Sequence, residues 1–596
     1  MHTRAPFPRG RRMLATTLLC AASTLALHSS GAAQSCTPFA SPPAGPLCGA
    51  TEPAVVNANT VPVRVFRGIP YAVPTTLNQN AGRWRPAVAL PPWTTPRQAT
   101  QFGQVCPQLL PDAAARRDTI GGGEDCLYLN VWQPPAASPA SPLPVMVFIH
   151  GGTFFEGAGS LPQYDGSQLA AAGNVVVVTL NYRLGALGFL AADTLQASVP
   201  ANLGLQDQQL ALRWVQRNIA AFGGDPARVT LFGESAGAMS VGLHLFSIPG
   251  SAPLFRAAIM ESNLMGLPYR GTAEALAGGN GFVKELCARV RGGCPGTPGW
   301  LQGLTTREIM QADSAFRGGE ALKNRLFAWG MPEIIPWTPV VDGTLVTGQP
   351  AAGYAAGMPA KPYVFGMNQN EGVLFASLVR QAIGPLGLAL EYDVMAAYLY
   401  GSQSVGTITG FKTPTGYPPY SNSLFTQDSS NHYLDRSQVA LSNLLNDALF
   451  HCGNLAAADS VLAAGQPGTL PVFGYLFVQP PRFNHPPLAP PACVPQAGYV
   501  CHTYELPYVF DNLAYADSVP GSLQPPTPSD VALGQAMSAA WASFATTLGP
   551  PAAGWQPYTP NGGLYVWGGT TGGTMRQGWN AARSCSLWNR VPPRVG

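Results

Sequence analysis

Short apolar runs recur along the chain, each bounded by glycine, proline or polar residues. Leu143–Ile149, Val175–Leu180, Val229–Phe232 and Ala257–Met260 are near-continuous rather than alternating. Such a strand is buried on both faces, the condition inside a sheet that helices cover. Between the second and third runs, Leu205–Phe222 places Leu205, Leu210, Leu212, Trp214, Val215 and Ile219 on one helical face. Strand–helix–strand order predicts parallel pairing, hence an α/β fold built on a large, mostly parallel central sheet. Further helices are predicted over Arg436–Leu462, with Val439, Leu444, Leu445, Ala448, Leu449 and Cys452 inward, and near Val531–Thr546. Tyr400–His432, rich in Gly, Ser, Thr and Tyr, and the proline-rich Gln479–Val500 carry neither period. Both are predicted as long, lid-like loops. No repeat and no long linker divides the chain, so residues 34–596 are predicted to form a single domain.

Composition narrows the class. With 46% hydrophobic and 11% charged residues among 596, the chain has the opposite balance to a disordered one. Residues 1–33 read as a secretory signal: Arg4, Arg9, Arg11 and Arg12, then the apolar Met13–Leu27, then Gly31, Ala32 and Ala33 before Gln34. The apolar run is too short to span a bilayer, and no other reaches that length, so no stable membrane insertion is expected. Setting those four arginines aside leaves 29 basic against 30 acidic side chains. A surface without a basic excess argues against a nucleic-acid partner. Beyond the leader stand ten cysteines, an even number that reads as disulfides in an exported protein, periplasmic or extracellular. Short spacing pairs Cys36–Cys48, Cys106–Cys126, Cys287–Cys294 and Cys493–Cys501, which leaves Cys452–Cys585. No CxxC occurs and no histidine stands at ligand spacing, so no metal is predicted.

Gly233-Glu234-Ser235-Ala236-Gly237 follows the run Val229–Phe232 and opens an apolar helix, Ala236–Phe246. A serine on a sharp strand-to-helix turn needs small neighbours and is the arrangement of an exposed nucleophile. Its hydroxyl needs a base. Of six candidates, His244 and His451 lie within helical patterns, His432 and His485 lie in the loops, and His150 precedes Gly151-Gly152. His502, before Thr503-Tyr504-Glu505, fits the order serine, acid, histidine best. The acid between them is Glu371, just after Tyr363–Gly366, or Asp342 in Val341-Asp342-Gly343; spacing leaves both open. Glycines after the strand ending in His150 would let backbone N–H groups face an oxyanion, with Ala236 a further donor. No GxGxxG accompanies them, so no dinucleotide cofactor is expected.

Further motifs surround these. They are Phe66-Arg67-Gly68-Ile69-Pro70-Tyr71-Ala72, Glu124-Asp125-Cys126-Leu127-Tyr128-Leu129-Asn130-Val131-Trp132, Asn181-Tyr182-Arg183-Leu184-Gly185, Asn202-Leu203-Gly204-Leu205-Gln206-Asp207-Gln208, Phe222-Gly223-Gly224-Asp225-Pro226 and Trp541-Ala542-Ser543-Phe544-Ala545. With them the chain resembles the type B carboxylesterase family, the cholinesterase-like branch of the α/β-hydrolases. The resemblance implies a triad of Ser235, Glu371 and His502, with Glu371 in the family's Asn-x-x-Glu-Gly motif. It implies oxyanion donors Gly152, Thr153 and Ala236, and no cofactor. Cys106–Cys126, Cys287–Cys294 and Cys452–Cys585 resemble the family's bridges; Cys36–Cys48 and Cys493–Cys501 are additional. Thr153 departs from the family, which usually carries a third glycine there. The expectation is a secreted serine carboxylesterase acting on neutral, apolar or aromatic small-molecule esters, with Phe154, Phe155, Tyr417 and Tyr420 as aromatic candidates. A lipase or polyester hydrolase, and a non-catalytic adhesion protein of the same fold, are the alternatives. Cys501 directly precedes His502, so a bridge there would restrain the loop carrying the base.

Overall fold

The computed structural model describes Cys36 and residues 39–588, except 57, 75–81, 113–116, 195–196, 291–292, 295–299, 318–334, 353–357, 384–401, 411–435, 465–469, 481, 484–490, 518–524, 561, 571 and 579–584. Among the described residues one sheet holds eleven strands. In chain order they are β1 (Ala50–Val56), β2 (Asn59–Pro70), β3 (Tyr128–Gln133), β4 (Leu143–Ile149), β5 (Val176–Leu180), β6 (Gly224–Glu234), β7 (Ala257–Glu261), β8 (Tyr363–Asn368), β9 (Val472–Phe477), β10 (Leu564–Trp567) and β11 (Met575–Arg576). They lie side by side as β11-β10-β9-β8-β7-β6-β4-β5-β3-β2-β1. Every pair from β5 across to β10 is parallel. The outer pairs β5–β3, β3–β2, β2–β1 and β10–β11 are antiparallel. The predicted α/β-hydrolase architecture, mostly parallel at its centre, is therefore the observed one.

The apolar runs work as two-faced strands. Along β4, Val145, Val147 and Ile149 belong to one core cluster while Met146 and Phe148 belong to the other. β5 divides the same way, with Val176, Val178 and Leu180 against Val177. Each such side chain, fully buried, contributes ~1.5–3 kcal/mol, which makes the central strands the rigid frame of the molecule. Helices cover both faces. On the first lie α1 (Leu203–Asn218), α2 (Ala236–Phe246), α3 (Gly372–Ile383), α4 (Arg436–Leu445) and α5 (Cys452–Ala464); on the second lies α6 (Pro528–Thr547).

The predicted helices are present with shifted ends. α6 starts before Val531 because Thr527 caps it, its hydroxyl accepting the Asp530 N–H while Asp530 returns a bond to the Thr527 N–H. In α1 all the named apolar positions are buried except Leu210, which is half-buried. The helix predicted over Arg436–Leu462 is interrupted: Asn446–His451, between α4 and α5, is a π turn. Within the predicted loop Tyr400–His432, Ser402–Thr409 is helical, a correction whose cause is Ile408, fully buried in the first core. Residues 411–432 of that loop lie outside the described residues. Of Gln479–Val500, the described part includes two short 3₁₀ turns, Pro491–Cys493 and Pro495–Ala497.

Candidate active site

Because β4, β6 and β8 are parallel, the loops that follow them leave the same edge of the sheet. β6 ends at Glu234 and α2 begins at Ala236, so Ser235 alone makes the turn. Its φ of 57° with ψ of −123° lies outside the regions open to L-residues, a strain of roughly 1–3 kcal/mol. The turn closes only because its neighbours are glycine. A Cβ on Gly237 would stand 1.9 Å from the Ile149 carbonyl oxygen, and one on Gly233 would stand 2.6 Å from the same atom. The Ser235 N–H donates to the Glu261 carbonyl at 3.0 Å, tying the elbow to the end of β7.

The loop after β4 packs directly on this elbow: a Cβ on Gly151 would be 3.0 Å from that of Ser235. The N–H groups of Phe155 and Glu156 both donate to the Gly152 carbonyl at 3.0 Å. That turn puts Gly152, Thr153 and Phe154 at φ of 97°, 49° and 62°. Among the described residues neither Gly152 nor Thr153 spends its own N–H on a hydrogen bond. Ala236 opens α2, where an N–H has no acceptor within the helix. His150 is buried against Tyr182, ring centroids 4.5 Å apart, with Nδ1 2.8 Å from the Gly151 carbonyl. Burial pushes its pKa down to about 4, so it is neutral and packs the loop.

Glu371 follows β8. Its Oε1 accepts the Asn368 N–H at 2.6 Å, and its Oε2 accepts Nδ1–H of His502 at 2.6 Å. Asn370 fastens the two loops together: its N–H donates to the Val500 carbonyl and its Oδ1 accepts the Val500 N–H, both at 3.0 Å. The Cys493–Cys501 bridge ends one residue before His502, and the Tyr504 hydroxyl donates to the Cys493 carbonyl. The imidazole packs against Phe375 and Phe450, at ring distances of 5.2 and 5.3 Å. Among the described residues its other nitrogen, Nε2, makes no hydrogen bond, to Ser235 or to any other group. It stands 3.2 Å from Oε1 of Glu234, the residue that precedes Ser235. Asp342, the other candidate acid, is spent on its own turn. Its Oδ1 accepts the N–H groups of Thr344, Leu345 and Val346, and its Oδ2 accepts Asn202 Nδ2 at 2.9 Å.

Three further buried carboxyls lie near the dyad, none of them among the site residues predicted from the sequence. Glu234, Glu261 and Glu505 are each no more than 1% exposed. Glu505 accepts Ser262 Oγ at 3.1 Å and Asn368 Nδ2; Glu261 accepts the Trp541 indole N–H. Burial first, then repulsion from Glu505, pushes Glu234 and Glu261 well above the ordinary carboxyl range, and burial with repulsion from Glu371 pushes Glu505 up to about 7. A glutamate closing an apolar run, as Glu261 closes Ala257–Met260, was the available signal. The folded chain therefore holds a proton on Glu505 that the unfolded chain releases near 4.5. This group's contribution to stability is full below pH 4.5 and is lost as pH rises through about 7. Glu505→Gln, which cannot ionise, is expected to flatten the fall of Tm across that window in thermal melts. A slope identical to that of the wild type would show that Glu505 does not titrate there.

The other histidines are structural in their contacts. His244 is held by Ser251 Oγ at 2.7 Å and Gln208 Oε1 at 3.0 Å, and burial pushes its pKa down to about 3. His451 Nε2 donates to the Asn368 carbonyl at 3.1 Å. His432 and His485 lie outside the described residues, as do Tyr417, Tyr420 and the leader 1–33. Phe154 is a correction: it is not an exposed loop aromatic but fully buried, packed edge-on against Phe189 at 4.9 Å. Phe155 is half-buried beneath the Arg317 guanidinium, 4.2 Å from its ring centre. Cys106–Cys126, Cys287–Cys294, Cys452–Cys585 and Cys493–Cys501 are bridged, and Cys36 and Cys48 are each disulfide-bonded. Among the described residues no helix is long and apolar enough to cross a membrane, and no cluster of His, Cys, Asp or Glu could hold a metal.

Residues 38–588 match the Carboxylesterase family. The chain is 34% identical over 505 residues to para-nitrobenzyl esterase of Bacillus subtilis (strain 168), covering 83% of this chain and 89% of that protein. It is 34% identical over 522 residues to bile salt-activated lipase of Rattus norvegicus, covering 85% and 77%. Fumonisin B1 esterase of Sphingopyxis macrogoltabida is 31% identical over 548 residues, covering 90% and 89%. Among solved structures, a thermophilic pNB esterase superposes with a TM-score of 0.69 at 29% identity, over 92% of this chain and 99% of that one.

Proposed function

The chain belongs to the carboxylesterase family and is a carboxylic ester hydrolase; on that premise we propose a secreted serine esterase that works through an acyl-enzyme on neutral, apolar or aromatic esters. Ser235 attacks the ester carbonyl as His502 Nε2 takes its proton, and Glu371 steadies the imidazolium. The N–H groups of Gly152, Thr153 and Ala236 receive the oxyanion, each donor lowering the barrier by about 2.7–4 kcal/mol. His502 then passes its proton to the leaving alcohol, and water releases the acid by the same route in reverse.

The observation that carries this reading is the 2.6 Å bond between Glu371 and His502 Nδ1, with Nε2 unbonded among the described residues and beside the elbow's Glu234. In a substrate-free enzyme the serine–histidine hydrogen bond is often long and tightens only in the complex with substrate. Glu234 Oε1, 3.2 Å from Nε2, makes no hydrogen bond to it among the described residues, and burial followed by repulsion from the neighbouring carboxylates raises its pKa. A fluorophosphonate probe tests the reading. One label on the peptide containing Ser235 is expected, and a protein that takes none is not a serine esterase, which would favour the adhesion alternative. The similarity to bile salt-activated lipase supports the lipase reading as second. Relative rates on short-chain, long-chain and aromatic polyester substrates separate the two.

Thr153 sets a limit on the substrate. A β-branched residue held at φ 49° is strained, and its side chain stands where the family usually has none. Thr153→Gly is expected to raise turnover of tertiary-alcohol acetates, relative to p-nitrophenyl acetate, by about tenfold or ~1.4 kcal/mol. An unchanged ratio would show that the threonine does not face the leaving group.

A further inference from the structure

We propose that the π turn Asn446–His451 positions the acid and the base, with Phe450 and His451 as the positioning residues. The inference rests on the triad reading given above. All six residues of the turn are buried, and the Cys452 N–H bonds five residues back, to the Asp447 carbonyl. One residue more than an α-turn is thereby inserted, a rare geometry that recurs at functional sites. The surroundings fit the wide turn closely. The Gly266 N–H donates to the Leu449 carbonyl at 2.9 Å, and a Cβ on Gly266 would lie 1.9 Å from the Ala448 carbonyl oxygen. Just beyond the turn, Cys452 is bridged to Cys585.

Consecutive residues of this turn reach two members of the triad. Phe450 lies against the His502 ring and against Phe375, at 5.3 and 5.5 Å. The imidazole is thus held by rings on one side and by Glu371 on its edge. His451 Nε2–H donates to the carbonyl of Asn368, whose N–H in turn donates to Glu371 Oε1. Asn446 Oδ1 accepts the Gly372 N–H at 3.4 Å, one residue past Glu371. The turn therefore grips the acid loop on both sides of Glu371 while it backs the ring of His502. A regular helix over the same residues would drop one residue and swing Phe450 and His451 by about 100° relative to the end of α4.

Packing alone would cost stability and leave the chemistry of each folded molecule untouched, so the test counts sites. Active sites are titrated with the fluorophosphonate, and kcat, KM and the pH profile are read on p-nitrophenyl acetate per labelled site. Phe450→Leu and His451→Leu are expected to lower kcat about 10–100-fold, the effect of a misplacement near 1 Å, with KM changing less than about threefold. They are also expected to displace the acid limb of the kcat/KM profile. His451→Gln, which keeps an N–H where Nε2 stands, is expected to recover kcat to within about threefold of wild type. An unchanged kcat per site and a superimposable pH profile in both leucine variants would overturn the proposal, whatever happens to Tm. Should His451→Leu not fold, Phe450→Leu decides alone by the same criterion. Wild-type protein that takes no label overturns the triad reading, and the proposal with it.

Discussion

Ser235→Ala is expected to lower kcat on a short p-nitrophenyl ester by about a millionfold, because the group that forms the acyl bond is gone while the oxyanion N–H groups remain. The fold should survive. The bond that anchors the elbow, from the Ser235 N–H to the Glu261 carbonyl, belongs to the backbone and is kept by alanine. So is the strained φ of 57°. Ser235→Gly separates strain from chemistry. Glycine adopts that φ without a Cβ clash, so this variant is expected to be equally inactive yet no less stable than Ser235→Ala. Steady-state rates and thermal melts on the two variants read both terms. Turnover in Ser235→Ala within a hundredfold of wild type would remove the serine from the mechanism.

Much of this site could be read from the chain because its chemistry sits at strand ends. Leu143–Ile149 was predicted to the residue, since a strand buried on both faces leaves an unbroken apolar run. The elbow was legible for a related reason: Gly233 and Gly237 are demanded by the approach of the Ile149 carbonyl. The choice between Glu371 and Asp342 was not settled by spacing, because an aspartate before glycine and a glutamate after a strand look equally available. Only the folded geometry shows Asp342 holding three N–H groups of its own turn while Glu371 holds His502. The outer antiparallel strands escaped prediction because β1 and β2 are partly exposed and carry a broken pattern. The π turn left no mark either, since an apolar face at helical spacing continues through it. Phe154 illustrates the converse error. An aromatic residue two positions past a glycine loop invites a substrate role, yet burial had already claimed it.

Glu371→Gln is expected to lower kcat about 10³–10⁴-fold, by reversing the tautomer of the base. The direction follows from one neighbouring bond. Oε1 of Glu371 accepts the Asn368 N–H at 2.6 Å, so an amide in its place would turn its oxygen there to keep that buried donor satisfied. Its NH₂ would then face His502 Nδ1, where Oε2 now accepts. A ring that must accept at Nδ1 carries its proton on Nε2 and cannot take one from Ser235. Binding should be spared, so KM is expected to stay within about threefold. The variant should still take the fluorophosphonate, but more slowly by a similar factor, since labelling needs the same proton transfer. Asp342→Asn is the control: its carboxamide oxygen can still accept the N–H groups of Thr344, Leu345 and Val346, so kcat should not change. A Glu371→Gln enzyme within tenfold of wild type, or an Asp342→Asn enzyme that loses activity while folded, would return the acid's role to the residue that spacing left in contention.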